Sequence, residues 1–364
     1  MPKNGVITLA HPTKKNAKSS KTSKGKIAGL VVVSFFSLIL FVAAGGLLYI
    51  NGMLNKLQPG NFSGNESLTE SEIFAGESRQ NVSDSISDIH DTKSDYHNAQ
   101  STEMLHQSGV ENILLIGSDR RNTKIYGNSD SMMIATINHD TGKLHLTSLM
   151  RAMYVNIPKS SGSTWSMLNA AYAWGGPELL VKTVEQNFRV DIDHYIVVDF
   201  TSFTSVVDAV GGVEITLQKD ELRWMAYYDE KGRTFSAGTQ KLDGAGALAY
   251  SRIRYAGDDF VRTGRQRTVM EAILKKAKTL SAPQLLSLAN TVIPMVSTDM
   301  SKTQILSYVS QAGTLLSYPM DQLMLPVENE GGGKYQNIMF VGGMEMYKVN
   351  FTVNIKHLHA FILS

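Results

Sequence analysis

Residues 27–50 carry no charged side chain and are mostly apolar, and no other stretch limits the chain so tightly. Coiled as a helix these 24 residues would reach about 36 Å, against about 30 Å of hydrocarbon in a bilayer. The run therefore predicts a transmembrane anchor over 27–50. A cleaved signal peptide is the competing reading, but its apolar core is about 7–15 residues long and ends at a small-residue cleavage site. Ahead of the run stand Lys3, Lys14, Lys15, Lys18, Lys21, Lys24 and Lys26, with no acidic residue. The positive-inside rule keeps this basic tail, 1–26, in the cytoplasm and places the rest outside. The expectation is a single-pass cell-membrane protein with a cytoplasmic N-terminus. A topology signal explains the lysines more simply than a nucleic-acid arm does, and no nucleic-acid partner is expected.

Residues 51–108 change character. Between 61 and 100 there are eight acidic residues, two basic ones and eight serines, with few large apolar side chains. A segment of this kind buries too little surface to offset its ordering entropy, so it reads as a disordered stalk. As a coil it would reach about 40 Å from the lipid.

From 109 to 364 the apolar pattern is that of an extracellular α/β domain. Short β-rich runs lie at 112–117, 132–138, 144–149 and 154–157, spaced as neighbouring strands with turns at Asn128 and Asp140-Thr141-Gly142. Helical spacing follows at 168–174 and 178–188, a strand at 194–200, and an apolar helical face at Phe203, Val206, Val207 and Val210. Gly211-Gly212 stops that helix before a strand at 213–217. Val269, Ile273, Ala277 and Leu280 mark a long helix begun at Asp259. Helices near 282–296 and 301–316 and strands near 336–340 and 348–353 complete the pattern. Alternating strands and helices predict a mixed β-sheet sandwiched by helices.

The charged residues concentrate at one place. Tyr250 to Arg267 holds Arg252, Arg254, Arg262, Arg265 and Arg267. Arg252 and Arg254 are two apart, so on an extended segment both leave from one face. Arg262 and Gln266 are four apart and share a helical face, with Asp259 one turn ahead. The stretch thus reads as a strand end, a turn at Ala256-Gly257 and a helix capped by Asp258 or Asp259. Planar guanidinium groups converging from two elements suit phosphate or pyrophosphate, at about 4 kcal/mol per close pair before desolvation. A solvated basic face paired with Asp258 and Asp259 fits the spacing equally well.

Asp119 follows the strand at 112–117 and Asp130 precedes the next one, so adjacent strands would place both carboxylates at one sheet rim. Two carboxylates with substrate phosphate oxygens can hold Mg²⁺; the alternative is that both merely shape turns. Arg120, Arg121 and Arg151 come from the same region. Cysteine is absent, which excludes disulfides and thiolate sites. There is no Gly-X-Ser-X-Gly elbow, His-Glu-X-X-His, Walker loop or Gly-X-Gly-X-X-Gly fingerprint.

The ordered segments Asn112-Ile-Leu-Leu-Ile-Gly-Ser-Asp-Arg120, Ser129-Asp130-Ser-Met-Met, Leu168-Asn169-Ala-Ala-Tyr172, Val197-Val-Asp-Phe200, Val207-Asp-Ala-Val-Gly-Gly-Val213 and Leu242-Asp-Gly-Ala-Gly-Ala-Leu248 run into the arginine stretch. Together they resemble the LytR-CpsA-Psr family across the whole region after the stalk. The resemblance implies a phosphotransferase that moves a teichoic-acid-like or capsular glycopolymer from an undecaprenyl-pyrophosphate carrier to peptidoglycan, on an α/β sandwich at the membrane of a Gram-positive cell. It implies that Asp119 and Asp130 take Mg²⁺ or Mn²⁺, and that Arg120, Arg151, Arg252, Arg254, Arg262 and Gln266 bind pyrophosphate. Asp259, with Arg252 and Arg254, would act in catalysis, as orienter or as base on the acceptor hydroxyl. Three positions depart from the family pattern: Asn128 where an arginine is usual, Ala152 where an aspartate is, and Met167 where a lysine is. They motivate the alternative of a protein that binds the carrier or a wall polymer without turnover; an envelope regulator is a third class.

Overall fold

The computed structural model describes residues 68–74, 79–118, 127–253, 259–327 and 337–364. The basic tail and the apolar run 27–50 lie outside them. All belong to one compact unit, Met53–Ser364. In chain order the elements are α1 (Glu70–Ile73), α2 (Ile86–Ala99), β1 (Val110–Ser118), β2 (Ser129–Asn138), β3 (Lys143–Leu149), β4 (Tyr154–Lys159), β5 (Gly162–Met167), α3 (Leu168–Phe188), β6 (His194–Asp199), α4 (Phe200–Ala209), β7 (Val213–Leu217), α5 (Leu222–Tyr228), β8 (Gly238–Leu242), α6 (Gly244–Arg252), α7 (Asp259–Ala277), α8 (Ala282–Val292), β9 (Ser297–Thr298), α9 (Lys302–Leu315), β10 (Met320–Leu325), β11 (Ile338–Val341), β12 (Met344–Tyr347) and α10 (Phe351–Ile362). Single 3₁₀ turns precede α5, at Lys219–Glu221, and follow α8, at Ile293–Met295.

The expected mixed sheet is present, six strands in the order β10-β3-β2-β1-β6-β9. β1 runs antiparallel to β2 and parallel to β6, and β3 runs antiparallel to β2. Leu114, Ile116 and Ile134 on one face are at most 1% exposed, and Ile113 and Met133 on the other are 8% and 3% exposed, so both faces of the central strands are covered and those runs read as nearly continuous apolar sequence. Three hairpins stand outside this sheet: β4-β5, β7-β8 and β11-β12. The 154–157 run therefore does not neighbour the three strands before it in the sheet.

Two apolar clusters fill the interior. One joins the sheet to α3 and α10; the other packs α4, α5, α6 and α7 over the β7-β8 hairpin. The two helical stretches at 168–174 and 178–188 are halves of α3, kinked at Gly175 and Gly176. Gly176 takes φ 67°, a conformation costly for other residues, and Pro177 opens the second half with its fixed φ.

Three expectations fail. Residues 86–99 are not disordered: they form α2, which buries Thr92, Tyr96 and Ala99. Tyr96 packs edge-on against Phe351 of α10 at 5.3 Å. The segment's acidic residues have partners, Asp88 bonding Lys348 Nζ at 2.9 Å and Asp95 accepting from Thr352 Oγ1 at 2.7 Å. Second, Tyr250–Arg252 is not a strand end but the last turn of α6, whose first turn is capped by Asp243 accepting from Gly246 N at 2.9 Å. Third, 348–353 is not a strand: Asn350 accepts from Val353 N at 3.0 Å and starts α10.

Candidate functional site

The site forms at the sheet edge where β1 and β6 end and β2 begins. Ser118 at the close of β1 faces Ser129 on β2 across a register shift, and Asp199 at the close of β6 is the partner of Ser118 on its other side. β3 ends at the same edge, since Leu149 pairs with Met132. The chain then turns through Met150 and Arg151, and the N-terminus of α3 docks on that turn: Asn169 N donates to Arg151 O at 3.2 Å and Leu168 N to Met153 O at 2.9 Å.

Asp130 is the second residue of β2, inside the strand and not ahead of it. Its carboxylate lies 3.6 Å from Arg151 Nη1 and 4.0 Å from Arg262 Nη1. One turn along α7, Gln266 Nε2 donates to the Asp130 carbonyl at 3.4 Å, so the i, i+4 pair expected from spacing does share a face. Thr263 Oγ1, 3.4 Å from Met150 Sδ, seats α7 against the same turn. Arg151 and Arg262 are 9% and 3% exposed as residues, while the Asp130 side chain keeps 28%. Two guanidinium groups thus meet one carboxylate at a partly dry rim, where charge interactions are stronger than in water.

Arg252 stands elsewhere on this rim. Its guanidinium carbon lies 5.3 Å from the Phe200 ring centre and 5.5 Å from that of Tyr228, and Nη1 is 3.6 Å from Glu230 Oε1. Phe200 directly follows β6, two strands from β2 in the sheet. Arg254, Arg120 and Asp119 lie outside the described residues. Asp259 opens α7, and its side chain is also outside them. Of the remaining arginines, Arg265 is bound to Glu221 Oε1 at 2.7 Å and to the Ile253 carbonyl at 3.2 Å. Arg267 Nη1 donates to the Leu323 carbonyl at 3.3 Å, and burial pushes its guanidinium below the usual arginine range.

The structure adds residues to which spacing assigned no role. The Asn169 side chain is fully buried beside Arg151, and neither its Oδ1 nor its Nδ2 has a hydrogen-bond partner. Ser118 Oγ at the same edge is likewise buried without one. An unsatisfied buried polar group costs about 1–3 kcal/mol, so two at one rim mark a place where stability is forgone. The Leu168-Asn169-Ala-Ala-Tyr172 motif was the available signal for Asn169.

The three departures are structurally accommodated. Asn128 Nδ2 donates to the Ile73 carbonyl at 3.1 Å, tying the end of α1 to the rim. Ala152 is 7% exposed and Met167, at the start of α3, is 5% exposed. No group of three His, Asp or Glu side chains able to hold a metal occurs among the described residues; at this rim Asp199 accepts from Ser202 N and Oγ at 2.7 Å as the cap of α4, while Asp130 faces the two arginines.

A family profile described as the LytR_cpsA_psr family matches residues 75–353. The chain is 37% identical over 175 residues to the polyisoprenyl-teichoic acid–peptidoglycan teichoic acid transferase TagT of Bacillus subtilis (strain 168), covering 47% of this chain and 53% of that protein. It is 34% identical over 213 residues to the corresponding transferase TagU of Bacillus cereus (strain AH820), covering 58% and 67%. The chain thus spans about half the length of the first relative and two thirds of the second. Among solved structures, that of B. subtilis TagT superposes with TM-score 0.56 at 25% identity, over 72% of this chain and 94% of that one. A TagT structure with bound octaprenyl pyrophosphate lipid gives TM-score 0.52 at 25% identity, over 73% and 95%.

Proposed function

This chain belongs to the LytR_cpsA_psr family, and on that footing we propose that it is a membrane-anchored phosphotransferase. It moves an anionic glycopolymer from a polyprenyl-pyrophosphate carrier to peptidoglycan outside the cell. The observation that carries the reading is the meeting of Arg151 and Arg262 on Asp130 at the sheet edge, with Gln266 on the same helical face. The transferases TagT and TagU among its relatives, and the octaprenyl pyrophosphate bound by TagT, support it. The apolar run 27–50 and the lysines before it support a single-pass anchor with the folded unit outside.

The reaction is displacement at the phosphorus bonded to the sugar. The acceptor hydroxyl forms a new O–P bond and the bond to the bridging oxygen breaks, so polyprenyl phosphate leaves. Arg151 and Arg262 bind the phosphate oxygens and compensate the charge that develops on them. Their burial fixes the guanidinium planes before the substrate arrives, so little reorganisation remains for the reaction itself. Arg252, further along the edge, holds an oxygen of the phosphate that carries the sugar, and Asp259 is assigned the acceptor proton. A divalent cation fits the donor set: Mg²⁺ is commonly held by one or two carboxylates plus phosphate oxygens and water. Asp130, exposed enough to be reached, would hold Mg²⁺ or Mn²⁺ together with Asp119, and the ion would neutralise phosphate charge.

Asn128, Ala152 and Met167 favour a second reading, a protein that binds the lipid carrier without turning it over. The test uses the full chain in vesicles with a glycan-bearing polyprenyl pyrophosphate, Mg²⁺ and peptidoglycan fragments. Transfer that needs the ion and falls at least a hundredfold in Arg262→Ala and Asp130→Ala, as for lost transition-state donors, supports the transferase. Lipid binding without transfer under every ion and acceptor offered overturns it in favour of the carrier-binding reading.

A further inference from the structure

Beside Arg252 the surface carries an aromatic shelf that none of the assigned roles uses. Tyr227 is 75% exposed, the one Phe, Tyr or Trp ring left largely in water among the described residues. It stands edge-on to Tyr228 at 5.0 Å and to Trp224 at 6.2 Å, both near 85°. Tyr228 in turn lies under the Arg252 guanidinium at 5.5 Å, and Arg223 covers the Trp224 ring at 4.4 Å. Glu230, whose side chain is 80% exposed, sits 3.6 Å from Arg252. The three rings and Arg223 are carried by α5, a helix whose Met225 is fully buried, with Glu230 two residues past its end.

We propose that Tyr227, Tyr228 and Glu230 form a saccharide subsite that takes the sugar joined to the pyrophosphate of the lipid carrier. The inference rests on the transferase reading and specifies where the donor's first sugar lies. Three observations select a sugar. The rings are rigid and amphipathic, and the face of an exposed tyrosine suits the C–H face of a pyranose as it suits other flat apolar surfaces. A carboxylate and a guanidinium at the shelf's inner edge offer an acceptor and donors for vicinal hydroxyls. The shelf is continuous with Arg252, so a ligand whose phosphate reaches that arginine sets its next group on Tyr228 and the one after on Tyr227. The polyprenyl chain belongs on apolar surface without such charges, which excludes it here.

The test compares two ligands on the full chain in vesicles: polyprenyl pyrophosphate carrying a disaccharide, and the same lipid pyrophosphate bare. Tyr227→Ala is expected to weaken binding of the glycosylated lipid about tenfold, the weight of one ring contact, and to leave the bare lipid within twofold of wild type. Tyr227→Trp, which keeps a ring, is expected to retain the preference for the sugar. Equal losses for both lipids, or none for either, would overturn the subsite. So would a Tyr227→Ala protein whose donor binding is intact while its apparent KM for peptidoglycan fragments rises, because the shelf would then serve the acceptor. A wild-type chain that binds neither lipid refutes the carrier reading itself, a result separate from any change in preference. Melting temperatures of the variants, on an exposed side chain, are expected within a degree or so of wild type.

Discussion

Arg265 and Glu221 form a buried ion pair, Nε to Oε1 at 2.7 Å with both side chains 7% exposed. The bond ties α7 to the turn before α5, and the second arm of the guanidinium holds the carbonyl of Ile253 at the end of α6. Removing one member of such a pair strands the other charge in a dry setting, at about 3–5 kcal/mol. Arg265→Ala is therefore expected to lose several kcal/mol in urea unfolding. Arg262→Ala, whose partner Asp130 keeps Arg151 nearby and some water, is expected to lose markedly less stability while abolishing transfer. Equal destabilisation by the two would contradict this division of labour along one helix.

Gly244 is the point where α6 meets α4. A Cβ there would stand 2.2 Å from the Thr204 carbonyl oxygen and 2.7 Å from its carbonyl carbon, both backbone atoms that cannot swing aside. Gly244→Ala must push α6 away, and Arg252 at the other end of this helix moves with it. The expected cost is about 1–3 kcal/mol from overpacking, accompanied by weaker binding of the lipid pyrophosphate. A variant of unchanged melting temperature and affinity would show that α6 is not held by this approach.

These particulars show which parts of the molecule the sequence disclosed. The apolar runs of β1, β2 and β3 were visible because buried strands need apolar residues on both faces. The shared face of Arg262 and Gln266 was visible because helical spacing is a local rule, whereas their meeting with Asp130, 136 residues from Gln266, was implied only by the family resemblance. Arg252 was misplaced because Tyr-Ser-Arg-Ile-Arg alternates like a strand, although Asp243 before Gly-Ala-Gly-Ala-Leu-Ala is a helix start. The α2 segment was missed because so few of its residues are apolar. Its partners include Trp165, about 70 residues later, and Lys348, Thr352 and Phe351, more than 250 residues later, and no window over 61–100 contains them. The aromatic shelf was hidden for the opposite reason: tyrosines in a short helix look like core until one is found facing water.

Two histidines make stability depend on pH near neutrality. His145 is 1% exposed, neither ring nitrogen has a hydrogen-bond partner, and burial pushes its pKa below the ordinary 6.5. His359 is lowered from the same value, again by burial, although Nε2 donates to the carbonyl of Arg189 at 2.7 Å. Both are neutral when folded, and on unfolding each regains its ordinary pKa. The unfolded chain thus binds more protons below pH 6.5, and stability falls as pH drops from there toward the folded values, by up to about 1.4 kcal/mol per pH unit for each histidine. Melting temperatures from pH 7.5 to 5 are expected to decline, and His145→Leu is expected to flatten the slope. A slope unchanged in that variant would remove His145 as a source.

Asn169 separates stability from function most sharply. Its amide is fully buried with neither atom hydrogen-bonded, and its own N–H is held by the carbonyl of Arg151. A residue kept for packing alone would be better as leucine, which has the same heavy-atom branching and carries no polar group to desolvate. Asn169→Leu is accordingly expected to melt at or above the wild-type temperature. If the amide instead orients Arg151 or meets the phosphate once the rim closes on its ligand, the same variant should lose transfer at least tenfold while remaining fully folded. The two readouts together decide the matter: a stabilised and inactive protein assigns Asn169 to the site. A destabilised one would mean that the amide has a folding role, and a stabilised, fully active one would leave it without any role at the rim.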